Sequence, residues 1–206
     1  MTGDKRTAKN LCGRRKKTRG FTLVEMMITI AIFSVLAVVL AQIFVSFNRL
    51  QRQVSDRAVL GQDLRFAIEL IVRSARNNQI DYSAQPLPAK QNVLKLVTST
   101  GNPIWIGVQT QASGVCQDPT VTQCLALSLD SGASWSPITA KRVQVQNFDV
   151  YVRPSNSPFV TVGGTYPNNI QPFVTINLGL KYISGNAQDT LTLQAQTSVS
   201  SRVYLR

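Results

Sequence analysis

From Met26 to Phe47 the chain reads MMITIAIFSVLAVVLAQIFVSF, 22 residues without a charge, a glycine or a proline. A helix over this run has no polar face and needs lipid or other helices around it. At about 1.5 Å per residue it spans roughly 33 Å, enough to cross the hydrocarbon core of a bilayer. Past Asn48 the pattern narrows to one side. Leu60, Leu64, Ala67, Ile68, Ile71 and Ala75 fall at i, i+4, i+7, i+8, i+11 and i+15, the stripe of an amphipathic helix, and no proline interrupts it before Pro86. Glu69 and Arg73 form a favourable i,i+4 pair, and Gly61 is an interior glycine that softens the rod at a cost of about 1 kcal/mol. The spacing therefore predicts one helix from about Phe21 to Asn78, reaching about 87 Å.

From Gln79 onward short alternating runs are separated by Gly, Pro, Asn and Ser. Strands are expected at Val93 to Thr98, Ile104 to Thr110, Cys124 to Asp130, Val143 to Arg153, Phe173 to Ser184 and Thr190 to Val199. Ser99-Thr100-Gly101-Asn102-Pro103 and Ser184-Gly185-Asn186-Ala187-Gln188 read as hairpin turns, so the strands should form an antiparallel sheet. In the fourth run Val143 and Val145 are odd while Phe148, Val150 and Val152 are even, which requires an extra residue and places a β-bulge near Asn147. The link from Pro154 to Gln171, with Pro158, Gly163-Gly164 and Pro167, is a long surface loop. The fold class is thus α+β, a long N-terminal helix packed on an antiparallel sheet.

Composition removes much chemistry. The 206 residues include no histidine, which excludes Ser-His and Cys-His nucleophile pairs and the commonest metal ligand. There is no Walker loop, no G-x-G-x-x-G, no G-x-S-x-G, and the acidic residues show neither EF-hand spacing nor an evident carboxylate pair. Trp105 and Trp135 read as core or sheet residues rather than a base-stacking platform. No active site and no cofactor are expected. The net charge of +12 is concentrated at the start: Lys5, Arg6, Lys9, Arg14, Arg15, Lys16, Lys17 and Arg19 stand against Asp4 alone. A basic arm ahead of an apolar run points to a membrane with the basic end inside. A secretory signal peptide fits poorly, because the run is too long and lacks an A-x-A site. A lipoprotein signal at Cys12 fails for want of an apolar stretch upstream. A plain signal anchor fits but leaves Glu25 unexplained at the edge of the apolar segment.

Arg19-Gly20-Phe21-Thr22-Leu23-Val24-Glu25, behind Arg14, Arg15, Lys16 and Lys17, resembles the signal of type IV prepilins, and the close resemblance covers about residues 14 to 47. It implies cleavage after Gly20 by a prepilin peptidase, methylation of the new amino terminus at Phe21, and a role for Glu25 in assembly, paired with a neighbouring subunit's terminal amine. It also implies a basic leader at 1–20, a transmembrane and filament-core half at 21–48, a soluble amphipathic half at 49–80 and an exported β-rich domain at 81–206. The implied partners are other pilins or pseudopilins, an inner-membrane platform protein driven by a cytoplasmic ATPase, and membrane lipid before assembly. The family's mid-helix proline is missing from the apolar half. Gln62-Asp63-Leu64-Arg65-Phe66-Ala67 with Arg73, and Leu193 to Arg202, resemble W-type minor pilins and J-type pseudopilins more loosely. The function implied is a structural subunit of a pilus, competence filament or type II secretion pseudopilus.

Two alternatives remain open. One is a filament-borne DNA-binding subunit, with Lys141, Arg142, Arg153 and Lys181 along one face. The other is a lone anchored β-domain. Cys12 falls in the leader, whereas Cys116 and Cys124 lie in the exported part, where oxidising conditions favour a disulfide closing a nine-residue loop. By loop closure such a bridge contributes about 2 to 3 kcal/mol.

Overall fold

The computed structural model describes residues 20–84, 86–160, 170–184 and 190–202. Residues 1–19 with Cys12, residues 161–169 of the long link and residues 185–189, where a hairpin turn was expected, lie outside them. The chain divides into two units, Met1–Arg49 and Leu50–Arg206.

Helix α1 runs Leu23–Asn77, 55 residues, two residues shorter at its start than the spacing suggested. The reason is Thr22, which stands outside the helix and caps it. Within the first unit every residue from 20 to 47 is exposed. Two of the hydroxyls in this apolar stretch turn back on their own helix: Thr29 Oγ1 donates to the Met26 carbonyl at 2.9 Å and Ser34 Oγ to the Ala31 carbonyl at 2.8 Å. Side chains that satisfy themselves this way carry no open hydrogen-bonding demand into an apolar surrounding.

In the second unit the helical stripe is the core side. Leu60, Ala67, Ile71 and Ala75 are buried, with Leu64 and Ile68 packed beside them. They meet two antiparallel sheets rather than the single one expected. One sheet has the order β1 (Gln79–Ile80), β2 (Val93–Val97), β3 (Pro103–Thr110), β4 (Gln123–Ser128), β5 (Ser136–Pro137). The other has the order β6 (Val143–Arg153), β7 (Phe173–Tyr182), β8 (Leu191–Ser200). Alternation sets which face turns inward: Leu94 and Leu96 of β2, Val143, Val145, Phe148, Val150 and Val152 of β6, and Val174, Ile176, Leu178 and Leu180 of β7 share the core with the helix.

The bulge falls where the parity slip put it. Val145 pairs with Leu180 and Asn147 with Gly179, leaving Gln146 as the extra residue. Asn147 then lies across Gly179, where an added Cβ would come within 1.9 Å of Asn147 Oδ1, so that position of β7 has no room for a side chain. The last described residues close the fold on the helix end. Ser201 Oγ donates to the Asn78 carbonyl at 3.0 Å and Arg202 N–H to the Arg76 carbonyl at 3.1 Å, which occupies acceptors left open at a helix C-terminus.

One acidic side chain ties α1 to the sheet side at long range. The Ala140 N–H donates to Asp63 Oδ2 at 2.8 Å, and partial burial of Asp63 pushes its carboxyl above the usual range despite that bond. A raised folded value means that the folded state binds the proton more tightly. The associated stability is complete below the unfolded pKa of about 3.9 and is lost as pH rises through the folded value. Asp63→Asn keeps an acceptor for Ala140 without the charge. It should match the parent in acid and exceed it near pH 7, whereas Asp63→Ala should cost about 1 kcal/mol for the lost bond. Urea unfolding at both pH values checks this.

Candidate functional site

The start of α1 gathers the residues singled out by the sequence. Gly20 and Phe21 are outside the helix, Thr22 is its N-cap, and Glu25 is in its first turn. The Glu25 N–H donates to Thr22 Oγ1 at 3.3 Å, and the Met26 N–H donates to the Thr22 carbonyl at 3.2 Å. Thr22-Leu23-Val24-Glu25 has the threonine-to-glutamate spacing of a capping box, in which the cap side chain takes up an N–H that the first turn cannot satisfy. The resemblance implied roles for Gly20, Phe21 and Glu25 but none for Thr22; its three-residue spacing from a glutamate is the signal that marks it as a cap.

Two consequences follow for chemistry at this end. The Gly20–Phe21 peptide bond precedes the cap and is free of the helical ladder. The carboxylate of Glu25 lies where the positive end of the helix dipole favours an anion. Gly20 itself is informative. An added Cβ there meets nothing within 4 Å. Nothing in the chain's own described structure calls for glycine at this position.

Cys116 and Cys124 are bridged, with Cα atoms 5.6 Å apart. The pair is buried with Val121, and Val115 and Ile183 pack against it, a small cluster apart from the main core. The bridge joins the segment after the short 3-10 helix Gln111–Ser113 to β4. Among the described residues no three Cys, Asp or Glu side chains come together as a metal site.

The four cations proposed to line one face do not gather. Lys141 and Arg142 precede β6, and Lys181 pairs with Gln144 near that same end, but Arg153 is at the far end of β6 opposite Phe173. Ten strand residues separate the two ends by roughly 33 Å. Trp105 is half-buried on β3 with the Lys95 ammonium 4.4 Å from its ring centroid. Trp135, expected in core or sheet, instead sits in the turn before β5 and donates its Nε1–H to the Gly132 carbonyl at 3.0 Å. Asp130 organises that turn: the Ser134 hydroxyl and amide, with the Ser128 hydroxyl, hold its carboxyl down to about 2.

The family model described as the prokaryotic N-terminal methylation motif matches residues 15–41. The match takes in Gly20, Phe21 and Glu25 and ends inside the apolar part of α1. The chain therefore carries the motif of type IV pilin-like chains, which supports a prepilin processed by methylation. No curated protein and no solved structure matches the chain significantly.

Proposed function

We propose that this chain is a minor pilin or pseudopilin, a structural subunit that a prepilin peptidase cuts after Gly20 and methylates on Phe21. The observation that carries the reading is the matched motif standing on a helix whose apolar residues from Leu23 to Phe47 are all exposed in the single chain. Such a surface fits lipid first and neighbouring helices afterwards. Glycine at 20, for which the fold supplies no reason, fits the demand of a protease pocket. In this reading residues 1–20 are removed, 21–48 cross the membrane and later form filament core, 49–80 carry the soluble half of the helix, and 81–206 are displayed outside the cytoplasmic membrane. The looser likeness of Gln62 to Ala67 and Leu193 to Arg202 to W-type and J-type subunits favours a place among the larger minor subunits. Presence of Glu25 favours a subunit with another above it.

The test is the intact mass and N-terminus of the membrane-extracted chain from cells with and without the prepilin peptidase. A mature chain beginning at N-methyl-Phe21 in the first and an uncut chain in the second is the expected result. A chain that keeps Met1 to Gly20 in both leaves a signal-anchored β-domain instead.

A further inference from the structure

On the side of α1 opposite the buried stripe, the side chains between Arg57 and Glu69 leave an open groove of about 600 Å³, lined among others by Gly61, Gln62, Arg65 and Phe66. The fold itself makes no use of this lining. An added Cβ at Gly61 meets nothing within 4 Å. An interior glycine weakens a helix relative to alanine, so the bare backbone here destabilises α1 and no packing within the chain calls for it. Phe66 is 52% exposed, although a phenyl ring gains from burial. Arg57 and Arg65 are exposed, and neither is in an ion pair among the described residues; Glu69, on the rim of the groove, is held by Arg73 at 3.1 Å.

The chemistry of the lining limits what can fill it. Two guanidinium groups without a counter-charge attract carboxylates. They stand eight residues apart on one helix, about 12 Å along its axis. A carboxylate on the rim and a phenyl ring in the wall do not suit a run of phosphates. A helix surface offers no backbone hydrogen bonds, so a segment lying on it must satisfy its own backbone, as another helix does. The missing side chain at Gly61 lets such a helix come close. This chain's own acids do not supply the match. Asp63, Asp81, Asp118, Asp130 and Asp149 each accept a hydrogen bond or ion pair from its own groups. The same face of a second copy would set arginine against arginine, a like-charge contact that disfavours pairing.

We propose that the groove docks an amphipathic helix of a different polypeptide, which presents an apolar side chain to the notch between Gly61 and Phe66 and carboxylates to Arg57 and Arg65. Exposed ion pairs alone add little, so burial of the ring and the notch holds the partner while the two charges select it. The docking face belongs wholly to the Leu50–Arg206 unit and is independent of cleavage at Gly20.

The test uses the full-length chain in the cells that make it, with the photo-crosslinker p-benzoylphenylalanine in place of Gln62, an exposed residue of the lining. Irradiation should join it to one other protein, and mass spectrometry of the joined peptide should find Asp or Glu within about two helical turns of the linked residue. The same label in place of the exposed Thr192 on β8 should not give that product. Arg57→Glu/Arg65→Glu and Gly61→Leu should each lower the yield at least about tenfold. Gly61→Leu should do so with a thermal midpoint at or above the parent's, since leucine favours a helix over glycine. Changing the identified acids of the partner to arginine should restore the product in Arg57→Glu/Arg65→Glu, which a misfolded variant could not show. The mass of the product also reports whether residues 1–20 are present, so failure of the proposed processing is read separately. No product, a product with a second copy, with lipid or with nucleic acid, a joined peptide without acids, or a yield indifferent to the charge reversal overturns the proposal.

Discussion

Ile71→Ala should destabilise the Leu50–Arg206 unit by about 3 to 4 kcal/mol and lower its thermal midpoint by roughly 10 °C. Ile71 is fully buried, in the stripe where α1 meets both sheets. Removing its outer carbons loses the transfer free energy and leaves a cavity between Ala67 and Ala75, one turn away on either side of the stripe, and the inward residues of the sheets in the same core. That lining is shared between a helix and two sheets, so it cannot collapse by moving one side chain. The comparison is Phe66→Ala. Phe66 is larger and five residues away, but it is 52% exposed and off the stripe, so its removal should stay within about 0.5 kcal/mol. Circular dichroism melts of both variants, each with the membrane half retained in detergent, read the difference. Equal losses would mean that the stripe is not the seam holding α1 to the sheets.

That seam was legible because period 3.6 is a local property. The six stripe residues follow from spacing alone, and all six are buried or packed against the core. The same holds for β6, whose ends and bulge follow from parity within one run. What spacing could not supply was partnership. β1 and β5 are two residues long, too short to show any alternation. The split into two sheets depends on which strands sit side by side. Asp63 looks like an ordinary surface acid on a helix, since its partner Ala140 is 77 residues away. Trp135 misleads for the opposite reason: an aromatic beside a strand reads as core, but a turn that supplies an acceptor for its indole holds it just as well. At the start of α1 the motif gives Gly20, Phe21 and Glu25 directly, while Thr22 needs only the capping rule.

Glu25→Ala and Glu25→Gln should both be cut after Gly20 and remain in the membrane, yet both should fall out of the filament fraction by at least about a hundredfold. The magnitude decides between two roles for this carboxylate. As a first-turn anion on α1 it stabilises the helix start through the dipole by about 0.5 kcal/mol, and its loss by that route changes occupancy only a few-fold. As the counter-charge to a terminal ammonium at Phe21, held by a neighbouring subunit within apolar surroundings, it removes an unpaired buried cation. Breaking such a pair costs about 3 to 5 kcal/mol, which is about two to three and a half powers of ten. The glutamine of Glu25→Gln retains the length and hydrogen-bonding reach of the side chain, and Thr22 keeps its cap bond to the backbone, so that variant isolates the charge. Fractionation of membrane and sheared filament, with quantitation of both variants against the parent, reads the ratio. A few-fold deficit in each would make Glu25 a helix-start residue and nothing more; a deficit in Glu25→Ala that Glu25→Gln restores would make shape, not charge, the requirement.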